Sequence, residues 1–218
     1  MRVNPFMVLA AFAADFGRLS PLLDPGVRQA LGDRLAELRA AGPDQEPAAD
    51  RAARTLLDAL PAEEAAWLRQ DGGGQGRFVD ASDSAQYEGF AAADLCMLVL
   101  DGNPMVGPVM GPVRERLLAQ PASQWWGDAD PRLIALSGED GRRRLPLFQF
   151  EAGTMPWRIV LEVNTVLRAD IDPWGAADWW LSRTTWWDGT PAGLLGRDRD
   201  AELLGAAQAL AAVDGAGE

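Results

Sequence analysis

Apolar positions along this chain recur at intervals of three and four far more often than they alternate, so helix is the expected element over most of its length. The run from Phe6 to Ala14 is almost wholly apolar and continues past Asp15 through Phe16, Leu19, Leu22 and Leu23. That continuation reads as a core helix and not as a cleaved leader. After Asp24-Pro25-Gly26 the period restarts with Val27, Leu31, Leu35 and Leu38 and stops at Ala41-Gly42-Pro43. Proline in a first turn and glycine just past a last one are ordinary start and stop signals. A polar link over 44–47 leads to helical stretches over 49–60 and 61–70. The cluster Asp71-Gly72-Gly73-Gly74-Gln75-Gly76 then breaks the pattern. No Gly-Lys-Ser/Thr follows it and no apolar strand precedes it, so it reads as a linker and not as a phosphate cradle.

The apolar block Ala91 to Leu100 fits a strand or a short buried helix by length; Ala, Leu and Met outnumber β-branched residues, which favours helix. Two Gly-Pro pairs within 105–112 predict irregular backbone until a helix resumes at Val113. In the second half, Arg142 to Phe150 reads as a short strand or extended arm, and Trp157 to Leu167 as an amphipathic helix. Asp172-Pro173-Trp174 opens a further helix with an N-cap and a first-turn proline. A turn over 184–189 follows, then a short helix from Thr190-Pro191 to Leu195 and a last Ala/Leu helix over 198–213. The fold class expected is mainly α. The boundaries expected are a helical N-terminal region over 1–70, a Gly-rich linker over 71–90, a helical connecting region over 91–141, and a small helical C-terminal domain with a short extended arm over 142–218.

Composition narrows the chemistry. Of 218 residues, 20 are basic and 32 acidic, for a net charge of −12, and histidine is absent. Every basic residue is arginine. Mechanisms that need a Schiff-base lysine, a phosphate-loop lysine or a histidine base have no residue to use. Cys96 alone makes neither a disulfide framework nor a thiolate zinc site, and reads as a small buried hydrophobe. Asp170, Asp172, Asp178 and Asp188 sit where helix caps and solvated faces would place them. A hard-metal site or an acid/base pair is the weaker reading of those four. No metal or cofactor is expected. The acidic balance disfavours generic nucleic-acid binding, which needs a basic face. No run of about 18 apolar residues suggests a membrane span, and a cytoplasmic protein is expected.

Six of the nine tryptophans fall between Trp157 and Trp187. Adjacent helical residues point about 100° apart, so one member of each doublet, Trp179-Trp180 and Trp186-Trp187, should reach a surface. The ordered pattern Arg144-Leu145-Pro146-Leu147-Phe148-Gln149-Phe150, a helix around Asn164, Asp172-Pro173-Trp174, Trp179-Trp180-Leu181, and Asp188-Gly189-Thr190-Pro191 with Leu194-Leu195 resembles the C-terminal toxin-binding domain of Xre/ParS/MbcA-type antitoxins. In that family an R-x-P-x-F-Q-F arm precedes a helix, a D-P-W helix start, a tryptophan-bearing helix and a final turn. The resemblance covers about the last third of the chain.

It implies a helical, non-enzymatic module that homodimerises and holds a RES-type, NAD-consuming toxin by covering its active site. The partner surface expected on that basis comprises Trp180, Trp186, Trp187, Pro191, Arg197 and Asp198. Trp157, Val160, Val163, Trp174 and Leu195 are expected in the core. The apolar helices over 95–100 and 159–167 are the expected dimer interfaces. Such antitoxins commonly carry a DNA-binding helix-turn-helix, but 113–141 holds Gln124-Trp125-Trp126-Gly127-Asp128 in its place. Residues 1–141 carry 12 arginines against 21 acids, which agrees with a lost or repurposed DNA module. The alternative reading is a self-associating structural or DNA-management protein that retains the fold without a toxin.

Overall fold

The protein is mainly helical. The computed structural model describes residues 3–71, 87–124, 130–138, 141–152, 154–184 and 186–214. The glycine-rich stretch read as a linker, from Gly72 onward, lies outside the described residues, as does the Trp125-Trp126 doublet. The chain divides into two compact units, Met1–Gly111 and Pro112–Glu218.

The first unit is built on α1 (Pro5–Ala14), whose residues Phe6, Val8, Leu9, Ala10, Ala11, Phe12 and Ala13 are all buried. Asn4 starts it, accepting the Phe6 amide at 3.0 Å, with Pro5 in the first turn. A helix apolar on every side must be surrounded. A single turn, α2 (Phe16–Leu19), and a 3-10 turn over Ser20–Leu22 lead to α3 (Pro25–Ala40), which is followed by α4 (Glu46–Ala59), α5 (Ala62–Asp71) and α6 (Ala92–Leu100). Among these, α1 packs against α4, α5 and α6, while α3 packs against α4 and α6. Leu31, Leu35 and Leu38 of α3 are buried, each contributing about 1.5–3 kcal/mol of transfer free energy. The facing side of α4 is Ala48, Ala49, Ala52, Ala53 and Leu56, and its small side chains let the helices approach closely.

The block over 92–100 is helical, as its composition indicated. This segment, α6, packs against α1 and α3 in the first unit. Arg39 closes the arrangement with a two-pronged contact to Asp101 at 2.9 and 2.6 Å, tying the end of α3 to the end of α6.

Irregular backbone was expected over 105–112, but α7 (Gly107–Leu118) begins there and carries Pro112 inside it. The glycine-proline pairs mark a helix start: Pro108 occupies the first turn, where its missing N–H costs nothing. Gly107 has φ +73°, and a Cβ there would lie 2.4 Å from the Phe90 ring, so only glycine fits.

In the second unit, β1 (Ala122–Gln124), β2 (Leu136–Ser137) and β3 (Arg143–Pro146) form an antiparallel sheet in the order β1-β3-β2, with Leu145 opposite Ser123 and Arg144 opposite Leu136. A 3-10 turn over Leu147–Gln149 leads to the hairpin of β4 (Phe150–Glu151) and β5 (Met155–Pro156). Then come α8 (Arg158–Val166), α9 (Pro173–Leu181), a 3-10 turn over Pro191–Leu194, and α10 (Asp200–Asp214). Asp172 caps α9 by accepting the Gly175 amide at 2.9 Å. Among the described residues, no helix is long and apolar enough to cross a membrane.

Candidate functional site

Three residues of the C-terminal motif, Gln149, Asn164 and Trp180, meet in one buried polar network. Gln149, at the end of the 3-10 turn in the arm, and Asn164, in the last turn of α8, are 0 % and 1 % exposed. A buried amide must find partners for both its oxygen and its nitrogen. The Gln149 side chain accepts the Ile134 amide at 2.7 Å and donates to the Ile134 carbonyl at 3.0 Å, which fastens the arm to the segment before β2. Asn164 donates to the Arg132 carbonyl at 2.8 Å and to Gln149 Oε1 at 3.3 Å. Its own oxygen accepts the indole N–H of Trp180 at 2.8 Å. Arm, α8 and α9 are thereby joined through three side chains.

This corrects the placement of Trp180. Expected at the partner surface, it is fully buried, because its N–H is spent on Asn164 and its ring packs against Phe148 at 5.5 Å and Trp179 at 5.0 Å. Pro191 is buried as well, since its 3-10 turn packs on α9. The same packing takes up part of the expected dimer faces. Leu95, Cys96 and Met97 in the first unit, and Ile159, Val160 and Val163 in the second, are buried within their own units. Val160, Val163 and Trp174 are core residues as expected, whereas Trp157 and Leu195 are half-buried.

The remaining residues of the expected surface gather at the start of α10. Trp186 is 62 % exposed, at the tip of a turn closed by the antiparallel bridge between Thr184 and Gly189. Its ring meets that of Trp187 edge to face at 6.2 Å. Trp187 is half-buried and its side chain hydrogen-bonds to Glu202, in the first turn of α10. Glu202 is held below the usual carboxylate range, first by its ion pair with Arg199 and in smaller part by that bond. Arg197 and Asp198, both exposed, lead into the same helix, and Arg183 pairs with Asp188 across the turn at 3.1 Å. The arrangement is an exposed indole inside a rim of charges.

The candidate carboxylates serve local structure: Asp172 as a cap, Asp178 paired with Arg116 and hydrogen-bonded to Ser182, and Asp188 paired with Arg183. No group of three or more potential metal-ligating side chains occurs among the described residues. Cys96 is buried, and its thiol is pushed up to about 11 by that burial. Compared with family models, with curated proteins and with solved structures, the chain matches none.

Proposed function

We propose that the C-terminal unit is an antitoxin-like protein-binding module, non-enzymatic, whose partner is a RES-type NAD-consuming toxin held by covering its active site. The observation that carries the reading is the Gln149–Asn164–Trp180 network. The separated pieces of the motif are the parts of one packed unit, so their order along the chain has a physical basis. With Trp180 and Pro191 assigned to the core, the contact surface is Trp186 with Trp187, Arg197 and Asp198 around it. Truncating Trp186 leaves the core untouched, so a toxin-binding defect in Trp186→Ala reports on contact alone. The test is titration of a purified RES-type toxin with the wild-type chain and with Trp186→Ala, both checked for an unchanged unfolding midpoint. Loss of binding in the variant is expected; equal binding would remove this surface from the account. On this reading the protein acts in the cytoplasm as a homodimer, and light scattering checks its oligomeric state.

A further inference from the structure

The N-terminal unit carries a cleft of about 710 Å³ that the antitoxin-like reading does not use. One wall is a face of α3 carrying Arg28, Gly32 and Ala36, positions spaced by fours; opposite stand Leu98, Val99 and Leu100 in the last turn of α6, with Phe12 and Leu31 at the floor. Ligand pockets typically hold about 300–1,000 Å³, with largely apolar walls and a few polar groups that fix orientation.

We infer that this cleft binds a small amphipathic molecule, an acyl chain carrying an anionic head group. Phe12 and Leu31 are fully buried, whereas Leu98, Val99 and Leu100 keep part of their apolar surface open toward the cleft. Covering that surface is favourable in proportion to its area. Gly32 keeps the space clear: a Cβ there would stand 4.0 Å from Val99 Cγ1, its nearest neighbour, so the wall has no side chain where one would fit. Arg28 supplies the charge. It lies one turn into α3, is exposed, lines the cleft and makes no ion pair with an acid among the described residues. Asp24 precedes α3 without capping it through its side chain, and its carboxylate offsets the positive end of the helix, so the cleft's positive charge is that of the Arg28 guanidinium. Asp33 also lines the cleft, accepting a hydrogen bond from the Gln29 side-chain Nε2 at 3.2 Å, and its charge makes a cationic amphiphile the necessary control.

The test is calorimetric titration of the full chain with dodecanoate, below its micelle concentration, and with dodecylamine. Dodecanoate is expected to bind at one site, and Arg28→Gln to weaken it about tenfold, as the loss of one charge-assisted contact would. Gly32→Leu puts a side chain into the cleft while replacing a helical glycine, so it should abolish binding without lowering Tm. No binding of dodecanoate, undiminished binding to Gly32→Leu, or dodecylamine binding as tightly as dodecanoate would each overturn the inference.

Discussion

Replacing Asn164 by alanine removes the link that joins α8 to the arm and to α9. Three hydrogen bonds go with it: those to the Arg132 carbonyl, to Gln149 Oε1 and from Trp180 Nε1. Gln149 Oε1 keeps the Ile134 amide as a donor. The indole N–H of Trp180, by contrast, is left without a partner on a residue that is 0 % exposed. An orphaned buried donor costs about 1–3 kcal/mol, and the abandoned Arg132 carbonyl adds about 1 kcal/mol, so Asn164→Ala should destabilise the unit by about 2–4 kcal/mol. That is a large part of a typical domain stability of about 5–15 kcal/mol. Eight of the nine tryptophans lie in the second unit, so urea unfolding followed by intrinsic fluorescence reads this unit directly. The decisive control is Trp180→Phe, which deletes the donor. In that background Asn164→Ala should cost about 1–2 kcal/mol less, because no indole N–H remains to be orphaned. Additive costs, within about 0.5 kcal/mol, would refute the argument that the network is what fixes Trp180.

Asn164→Asp places a carboxyl opposite the Arg132 carbonyl and Gln149 Oε1, two acceptors that favour its protonated form, and burial acts in the same direction, together outweighing the single Trp180 N–H that favours the anion. Its folded pKa then lies above the unfolded value of about 3.9. The variant's deficit relative to wild type should therefore grow as pH rises from about 4 toward neutrality, measured by urea midpoints at several pH values. Glu64 shifts the other way, held below the usual range first by its hydrogen bond from Arg18. Its contribution to stability is present above the unfolded pKa and lost as pH falls through the folded one. Arg18→Ala should raise the Glu64 midpoint in a carboxyl NMR titration, and an unmoved midpoint would count against the pairing. Cys96, buried with a thiol pushed up to about 11, should resist a disulfide reagent at pH 8 in the native chain and react promptly in urea. Rapid native reaction would contradict its burial.

Much of the helical framework was legible because its signals are local. The Asp172-Pro173 start gave α9, where Asp172 does cap the Gly175 amide, and the spacing of Leu31, Leu35 and Leu38 gave the buried face of α3. Strands β1 and β2, three and two residues long, are too short to show a period; pairing with β3 makes them. α7 was hidden by its prolines, because Gly-Pro also marks a helix start when the proline falls in the first turn. The surface expected around Trp180 failed for a related reason. The doublet rule says that one indole of two faces inward, and only the neighbours decide which. A signal was available in Asn164, a polar residue one turn after Val160 and next to Val163 on the apolar stripe of α8. An amide in that position has to be hydrogen-bonded, and an indole N–H one helix away is a natural donor. The cleft in the first unit had no such signal, since its walls come from α3 and α6, elements far from each other in sequence.

The central claim is that this chain restrains a RES-type toxin through the surface around Trp186. The direct measurement is the rate of NAD consumption by such a toxin as the chain is added in increasing ratio. The account predicts that wild type stops consumption near one binding unit per toxin and that Trp186→Ala fails to do so at the same ratio while remaining folded. Undiminished NAD consumption at saturating wild-type chain would contradict it.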